Sequence, residues 1–398
     1  KYSSLSSLFP EQLLLVLLLT ILLLAGIDWE LPAHERYALL QNGYVLSEQD
    51  RRLLQSVSES HYQKLDHVEK EQVQKLLTAS EKNEPAEKNE RSWFFSVEQQ
   101  IAKYRAFING SGAVDERKGF SALARINPSA FDFDPKRYIY GGSYLYPLGA
   151  VLFLLETSGL LVITNDIAAY LEHPYDMAAL YIAGRMFSVL SFAGALWVLG
   201  LLGNRLQGRI TGFGAMAVFG LSTLILNYAV TTKPHIYAAF FGLLAVYFLI
   251  RYNEEQKQRC LLVSAAAAGW AFGASFAAGA LALLYPFLLF QRRKLQPGIK
   301  QVLAAWIIML LVFLATNPFV VFSWDRFLLN LNIHSGSQGY GYGVADLRKL
   351  FIYWLKIVNK GYCFPVSVLG LAGLSLAILR EHAWRQRLAI VTVVLLCL

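Results

Sequence analysis

Residues 13–27 read LLLVLLLTILLLAGI, an apolar run without a single charge. Such a run is typical of a membrane-spanning helix. We interpret residues 1–27 as an uncleaved first transmembrane helix, because no small-residue cleavage site follows in GIDWELPAHE. The residues directly after it include four ionisable side chains: Asp28, Glu30, His34 and Glu35. At a membrane exit these residues form either a solvated cap or a reaction site.

The composition predicts a polytopic membrane protein. Of the 398 residues, 55% are hydrophobic and only 16% are charged, whereas a soluble domain carries roughly 25% charged residues. The net charge of +8 comes from short Lys and Arg clusters between apolar runs, which is typical of membrane topology and argues against nucleic-acid binding. The three cysteines are widely spaced and indicate neither a disulfide framework nor a metal knuckle.

Positive charge between the apolar runs sets the predicted orientation, because Lys and Arg concentrate in cytoplasmic loops. Four short basic loops are placed inside: 203–209, 251–259, 291–300 and 379–387. Connecting them predicts an all-α transmembrane helix bundle over 181–398, with an external loop at 317–362. The predicted spans are 181–202, 210–228, 236–251, 301–316, 363–379 and 388–398, with a helical hairpin of small residues over 261–290.

This orientation leaves residues 28–180 as one large external region. Within it, residues 47–118 alternate charge at helical spacing, which predicts a polar insert of exposed helices laid over the membrane. Residues 144–163 are apolar enough to cross the membrane. Pro147 and Glu156 interrupt them, which favours a juxtamembrane or re-entrant segment over a span.

Two local patterns bear on the external region and on the chain ends. Asn109-Gly110-Ser111 fits a glycosylation sequon, a triplet that is frequent by chance. The chain begins without Met and stops inside the apolar run VTVVLLCL. We therefore expect a further C-terminal portion.

The predicted external side collects reactive groups from several segments. Carboxylates come from the first loop, and Arg185 and Lys233 lie at helix starts. Together they suit a lipid-linked phosphate, since Arg and Lys can hold a phosphodiester and a carboxylate can accept a proton from an attacking hydroxyl. Each has a structural alternative: Asp28 and Glu30 can mark the membrane exit, Arg185 can snorkel, and the tyrosines can form an aromatic belt.

Lys233 carries a separate argument, because it stands just before Pro234 where a helix begins. A cation at a helix N-terminus opposes the macrodipole, so its placement costs energy unless an anion comes close. We therefore predict a donor-phosphate and lipid site. Its candidate residues are Arg185, Lys233, His235, Lys136, Tyr140 and Tyr144.

A glycine-tyrosine loop follows the last of these segments. Residues 336–343 read GSQGYGYG and lie beside His334, a pattern that suits either simple flexibility or a lid that orders over a substrate. The candidate acceptor or lid residues are His334, Tyr340, Tyr342, Glu30 and His34.

Four blocks of this sequence, in order, resemble the GT-C-type integral membrane glycosyltransferases, in particular the protein O-mannosyltransferase and aminoarabinose-transferase branch. The first is a membrane helix followed by Asp28 and HERYALL (34–40). The others are INPSAFDFDPKRYIYGGSYLYPLG (126–149), YIAGRMFSVLSFAGALWVLGLLGNRLQGR (181–209), and NYAVTTKPHIYAAFFGLLAVYFL (227–249) with TNPFVVFSWDRFLLNL (316–331). The resemblance implies a GT-C-like helix bundle with a large first external loop.

The resemblance also implies roles. Asp28 matches the general base for the acceptor hydroxyl, and Glu35, or less favourably Glu30, matches the second acidic position. Arg185 matches the arginine at the head of its helix, and the block near 136–146 lies where the family contacts donor phosphate.

Two departures from the family pattern affect these roles. His34 stands where an acidic residue is common, which weakens the pairing of carboxylates. In the fourth block, Lys233-Pro234-His235 replaces an Asp that many relatives carry beside the proline. We therefore favour chemistry without a divalent metal and assign no cofactor.

The resulting hypothesis is an inverting glycosyltransferase that uses a polyprenyl-phosphate-linked sugar and a lipid, glycan or protein hydroxyl acceptor. We expect it in a bacterial or archaeal plasma membrane, with its active site on the external face. Two alternatives come from other classes. A transporter or flippase would carry ionisable residues deep in its spans and internal symmetry, and neither is evident. A non-catalytic assembly subunit would use the polar insert 47–118 to bind a partner.

Overall fold

The computed structural model describes residues 8–38, 52, 107–113, 115–164, 166–286, 298–328, 330, 352 and 356. These residues are largely helical, and no β-strand occurs among them. The α-helices are α1 (Pro10–Ala25), α2 (Glu35–Ala38), α3 (Glu116–Leu123), α4 (Gly142–Thr157), α5 (Ile167–Glu172), α6 (Pro174–Gln207), α7 (Arg209–Gly220), α8 (Thr223–Ala229), α9 (Pro234–Glu255), α10 (Gln258–Ala274), α11 (Ile299–Thr316) and α12 (Phe319–Phe322). Two 3₁₀ segments are Pro128–Ala130 and Phe276–Leu284.

Three of the described helices, α6, α9 and α11, are long and apolar enough to cross a membrane. Helices α7 and α8 would add a fourth span if they form one, and they are bent by 70° at the break between them. Helix α1 is apolar and 16 residues long. Among the described residues, the prediction of an all-α membrane protein is confirmed.

The contacts divide the chain into two compact units. The first comprises residues 1–27, 118–151 and 184–398, and the second comprises residues 28–117 and 152–183. Helices α4 and α6 each run from one set of residues into the other.

The centre of the first unit is built from α9, α10 and α11, which pack in succession. Small residues make this possible, because alanines and glycines let helix backbones approach closely. Ala265, Ala268 and Ala271 of α10 are fully buried. A side chain at Gly269 would meet the backbone carbonyl oxygen of Met309 at 2.4 Å. This position therefore requires glycine for the α10–α11 contact.

Helix α1 packs against α7, and a buried amide pair joins α1 to α6. Val16, Leu19 and Leu23 are buried at helical spacing. Gln12 Nε2 donates to Asn204 Oδ1 at 2.6 Å, and Asn204 Nδ2 donates back to Gln12 Oε1 at 2.8 Å. Both side chains are almost completely buried. The reciprocal pair satisfies polar groups that burial would otherwise penalise.

The predicted domain bounds stay predictions, and several fall outside the described residues. These are the spans 363–379 and 388–398 and most of the insert 47–118. The stretch predicted as a hairpin over 261–290 contains α10 and the 3₁₀ segment Phe276–Leu284. The segment 144–163 contains most of α4.

Candidate active site

The first external segment begins with a turn over residues 26–30, directly after α1. Asp28 is exposed there, and so is Glu30. Glu30 adopts a left-handed backbone with a φ of 47°, which is unfavourable for a residue with a side chain. The acidic residues therefore lie on a sharply turned and water-accessible segment.

Arg36 holds this segment to residues 107–112 of the same unit. Its guanidinium donates to the carbonyl oxygens of Glu30 and Phe107, each at 2.7 Å, and to the carbonyl oxygen of Gly110. Partial burial lowers the pKa of Arg36, while the charge of Glu30 opposes the shift. We call Arg36 and these three carbonyls the Arg36 brace.

Arg36 was not among the residues predicted from the sequence. A usable signal was present, since an arginine soon after a predicted exit to the external side runs against the preference of Lys and Arg for the cytoplasmic side. Its partners, however, are backbone carbonyls of residues up to 74 positions away, and no residue pattern marks them.

Tyr175, in the first turn of α6, brings two of the predicted residues together. Its hydroxyl lies 3.3 Å from Oε1 and 3.4 Å from Oε2 of Glu35. The ring of His34 contacts the Tyr175 ring edge-on, with centroids 5.2 Å apart. All three side chains are exposed. Glu35 is thus available to solvent and held by a neutral hydroxyl.

Arg185 occupies a different environment from the one predicted. It lies within α6, its side chain is 0% exposed, and its Nη1 donates to the carbonyl oxygen of Ile27 at 2.8 Å. Ile27 lies just beyond α1 and directly precedes Asp28 in the chain. Ile27 follows Gly26, the C-cap residue of α1. The hydrogen bond from Arg185 therefore ties α6 to the segment directly after α1.

Lys233 and His235 flank the first residue of α9. Lys233 is the N-cap residue and is half-buried, whereas His235 is exposed. Both contact Tyr228: the ammonium lies 5.7 Å from the ring centroid, and the imidazole ring lies at 4.8 Å. The two predicted residues therefore share one aromatic surface of the same unit.

The predicted tyrosines belong to a packed aromatic column. Tyr144 is fully buried, with its ring centroid 6.2 Å from that of Tyr140, 5.9 Å from that of Phe187 and 5.7 Å from that of Tyr237. Tyr140 is also buried. This packing gives both tyrosines a structural function, and their role as donor contacts stays a prediction.

Lys136 lies on an exposed turn just before this column. It has a left-handed φ of 54° and forms a 2.9 Å ion pair with Asp132. The hydrogen bond from Lys136 lowers the pKa of the Asp132 carboxyl. The charge of Lys136 is therefore partly compensated on the protein itself.

A buried carboxylate, Asp134, joins the segment before α4 to the segment after α11. Its Oδ1 accepts from the Lys136 N–H at 2.8 Å and from the Tyr138 hydroxyl at 2.7 Å. Its Oδ2 accepts from the Ser323 hydroxyl at 3.1 Å and lies 3.8 Å from Arg326 Nη1. Burial raises the pKa of Tyr138 well above its ordinary value, so the phenol remains a hydrogen-bond donor.

A small pocket adjoins this carboxylate. Its lining residues are Pro135, Tyr138, Tyr140, Gly142, Tyr146, Phe276, Asn317, Phe319 and Val320. Asn317 fixes one wall of the pocket. Its Oδ1 accepts from the Gly142 N–H at 2.6 Å, and its Nδ2 donates to the Gly273 carbonyl at 3.2 Å. The pocket is therefore a feature of the packing between α4, α10 and α11.

The remaining predictions concern the lid and the metal. His334, Tyr340 and Tyr342 lie outside the described residues. Among the part of the chain that the structure describes, no group of three or more His, Cys, Asp or Glu side chains is arranged to hold a metal ion.

The long apolar helices of the described residues indicate an integral membrane protein. Residues 179–321 match the family model described as dolichyl-phosphate-mannose-protein mannosyltransferase. The matched stretch contains Arg185, Lys233 and His235. The match supports the predicted resemblance to GT-C-type membrane glycosyltransferases of the mannosyltransferase-like kind. Comparisons with curated proteins and with solved structures found no match.

Proposed function

We propose that this glycosyltransferase moves a sugar from a polyprenyl-phosphate-linked donor to a hydroxyl acceptor on the external face of the membrane, with inversion at the anomeric carbon. The observation that carries the proposal is the match of residues 179–321 to a family described by a dolichyl-phosphate-mannose donor. That stretch includes Lys233 and His235 on their shared tyrosine. A cationic and aromatic surface of this kind suits a sugar phosphate.

Asp28 serves as the general base in this proposal. Its exposed carboxylate accepts the proton of the acceptor hydroxyl. The acceptor oxygen forms a bond to the anomeric carbon as the bond from that carbon to the phosphate oxygen breaks. A single displacement of this kind inverts the anomeric centre and releases the polyprenyl phosphate. Glu35, held by the Tyr175 hydroxyl, is the second acidic residue of the segment.

Lys233 stabilises the departing phosphate in this proposal. An anion near the start of α9 offsets the unfavourable placement of a cation at a helix N-terminus and interacts favourably with the helix dipole. Arg185 is fully buried and bonded to the Ile27 carbonyl. We therefore assign it first to supporting the end of α1, and its contact with phosphate stays a prediction.

The proposal requires no divalent metal, because Lys233 and His235 flank Pro234 where many relatives carry an Asp. Transfer should persist in excess EDTA. Loss of transfer in EDTA, with recovery on adding Mg²⁺ or Mn²⁺, would contradict this part of the proposal.

The central test uses the purified protein in liposomes with a polyprenyl-phosphate-mannose donor and a panel of hydroxyl acceptors. Asp28→Asn should lower the transfer rate by roughly 10²-fold or more, since it removes the base but keeps the shape of the side chain. Asp166→Asn is the matched control, because Asp166 is an exposed aspartate of the same unit outside the proposed site. NMR of the product should report an inverted anomeric configuration. Full activity in Asp28→Asn, or retention of configuration, would refute the proposed mechanism.

A further inference from the structure

We propose that Arg36 is a positioning residue, which fixes the turn that carries Asp28 and thereby sets the direction of its carboxylate. The inference rests on the proposed function, because it gives Asp28 a catalytic role. Arg36 itself does not touch substrate in this scheme.

In the Arg36 brace, the guanidinium donates hydrogen bonds to three backbone carbonyls. Nη1 donates to Phe107 and Gly110, and Nη2 donates to Glu30. The ring of Phe107 also lies beneath the cation, with its centroid 6.0 Å away. A guanidinium presents its donors in a fixed planar fork, whereas an ammonium is a single point of charge. Three carbonyls in this arrangement therefore favour arginine specifically.

The Glu30 carbonyl is the point at which the brace acts on the turn. It accepts from Arg36 Nη2 at 2.7 Å and from the Gly112 N–H at 3.0 Å. A left-handed backbone is unfavourable at Glu30, so it persists only where the surroundings determine it. The two hydrogen bonds supply that constraint.

Gly112 adds a steric component to the same contact. A Cβ atom at this position would lie 1.6 Å from Glu30 Oε2. The Glu30 side chain therefore occupies the space above a residue that has no side chain. A Cβ atom at 112 must displace the Glu30 carboxylate, and at 2.8 Å from Glu30 Cβ it also crowds the start of that side chain.

Asp28 lies two residues before Glu30 in the turn over residues 26–30. Its backbone direction follows from the conformation that the Arg36 brace imposes on Glu30. Without the brace, the turn samples other conformations and the base is aligned for only a fraction of the time. A general base acts in the chemical step, so kcat should fall while KM for the donor stays nearly constant.

The test compares Arg36→Lys and Arg36→Ala with Arg117→Ala, a control arginine of the same unit that lies outside the brace. We expect kcat to fall about 10-fold in Arg36→Lys and up to about 10²-fold in Arg36→Ala. KM for the donor should change by less than about 3-fold. Added guanidinium at low millimolar concentration should partly restore kcat in Arg36→Ala. A purely structural role would lower the folded fraction and would not be rescued in this way.

Gly112→Ala provides a second variant that leaves Arg36 intact. It should lower kcat in the same manner, because a methyl group at 112 crowds the Glu30 side chain beside the hydrogen bond from the Gly112 N–H to the Glu30 carbonyl. Wild-type kcat in both Arg36→Ala and Gly112→Ala, with Asp28→Asn inactive, would overturn the positioning role but keep the proposed base. Full activity in Asp28→Asn would instead overturn the proposed function.

Discussion

Replacing the buried carboxylate of Asp134 should separate the two segments that it joins. Asp134→Ala removes the acceptor of the Tyr138 and Ser323 hydroxyls and of the Lys136 N–H. A buried donor without an acceptor costs about 1–3 kcal/mol, and hydrogen bonds to a charged group contribute about 1.5–3 kcal/mol each. These contributions overlap, because one side chain makes all of them. We expect a total loss of about 3–5 kcal/mol in the free energy of unfolding.

Three milder variants divide this loss. Asp134→Asn keeps Oδ1 as an acceptor, and its amide can donate to Ser323, so it should cost only about 1 kcal/mol. Tyr138→Phe leaves Asp134 its other partners and should cost about 1–2 kcal/mol. Arg326→Gln should cost less than about 1 kcal/mol, because the Arg326 side chain is 35% exposed and lies 3.8 Å away.

The assay is denaturant unfolding in detergent micelles, followed by tryptophan fluorescence, with donor transfer measured on the same samples. The expected order of destabilisation is Asp134→Ala, then Tyr138→Phe and Asp134→Asn, then Arg326→Gln. An Asp134→Ala variant within about 1 kcal/mol of wild type would refute the reasoning. So would an Arg326→Gln variant as unstable as Asp134→Ala.

Three further predictions follow from other contacts. Gln12→Leu and Asn204→Leu should each destabilise the protein by about 1–3 kcal/mol, because each change leaves one buried amide without its reciprocal partner. The double variant should lose less stability than the sum of the two. Additive losses in a double-mutant cycle would contradict this. Replacing residues 39–106 by a short Gly/Ser linker should preserve transfer, since the Arg36 brace joins the two ends of that segment. Loss of transfer in a folded linker variant would favour the alternative of a partner-binding insert. Asn109 should remain unglycosylated in a eukaryotic host, because its side chain is only 8% exposed; an endoglycosidase-sensitive mobility shift would show otherwise.

The contacts of residues 107–112 with the turn at Glu30 determine which deletion can test the insert. Deleting residues 47–118, the bounds predicted from sequence, would remove Phe107, Gly110 and Gly112, which hold the turn at Glu30. Such a deletion would damage the proposed base and could not separate the enzyme from the assembly subunit. A deletion that stops at residue 106 keeps those contacts.

The fold class could be predicted from the sequence because it depends on a one-dimensional property. Long apolar runs, low charge and basic loops are readable without knowing any contact. The candidate base could be named for a similar reason, since an acidic residue directly after an apolar run is visible in the sequence. The family resemblance, confirmed over residues 179–321, rested on the order of local blocks.

The partners of the arginines were decided by the tertiary structure alone. Arg185 was predicted to lie at the start of a helix and bind the donor phosphate. It is buried and donates to the carbonyl of Ile27, 158 positions away in sequence. Arg36 was given no role, and it braces carbonyls 71 and 74 positions away. Every residue carries a backbone carbonyl oxygen, so residue type does not show which carbonyl accepts a hydrogen bond from an arginine. Hydropathy and charge determined where the chain meets the membrane, while folding determined which of its many equivalent carbonyls each arginine would hold.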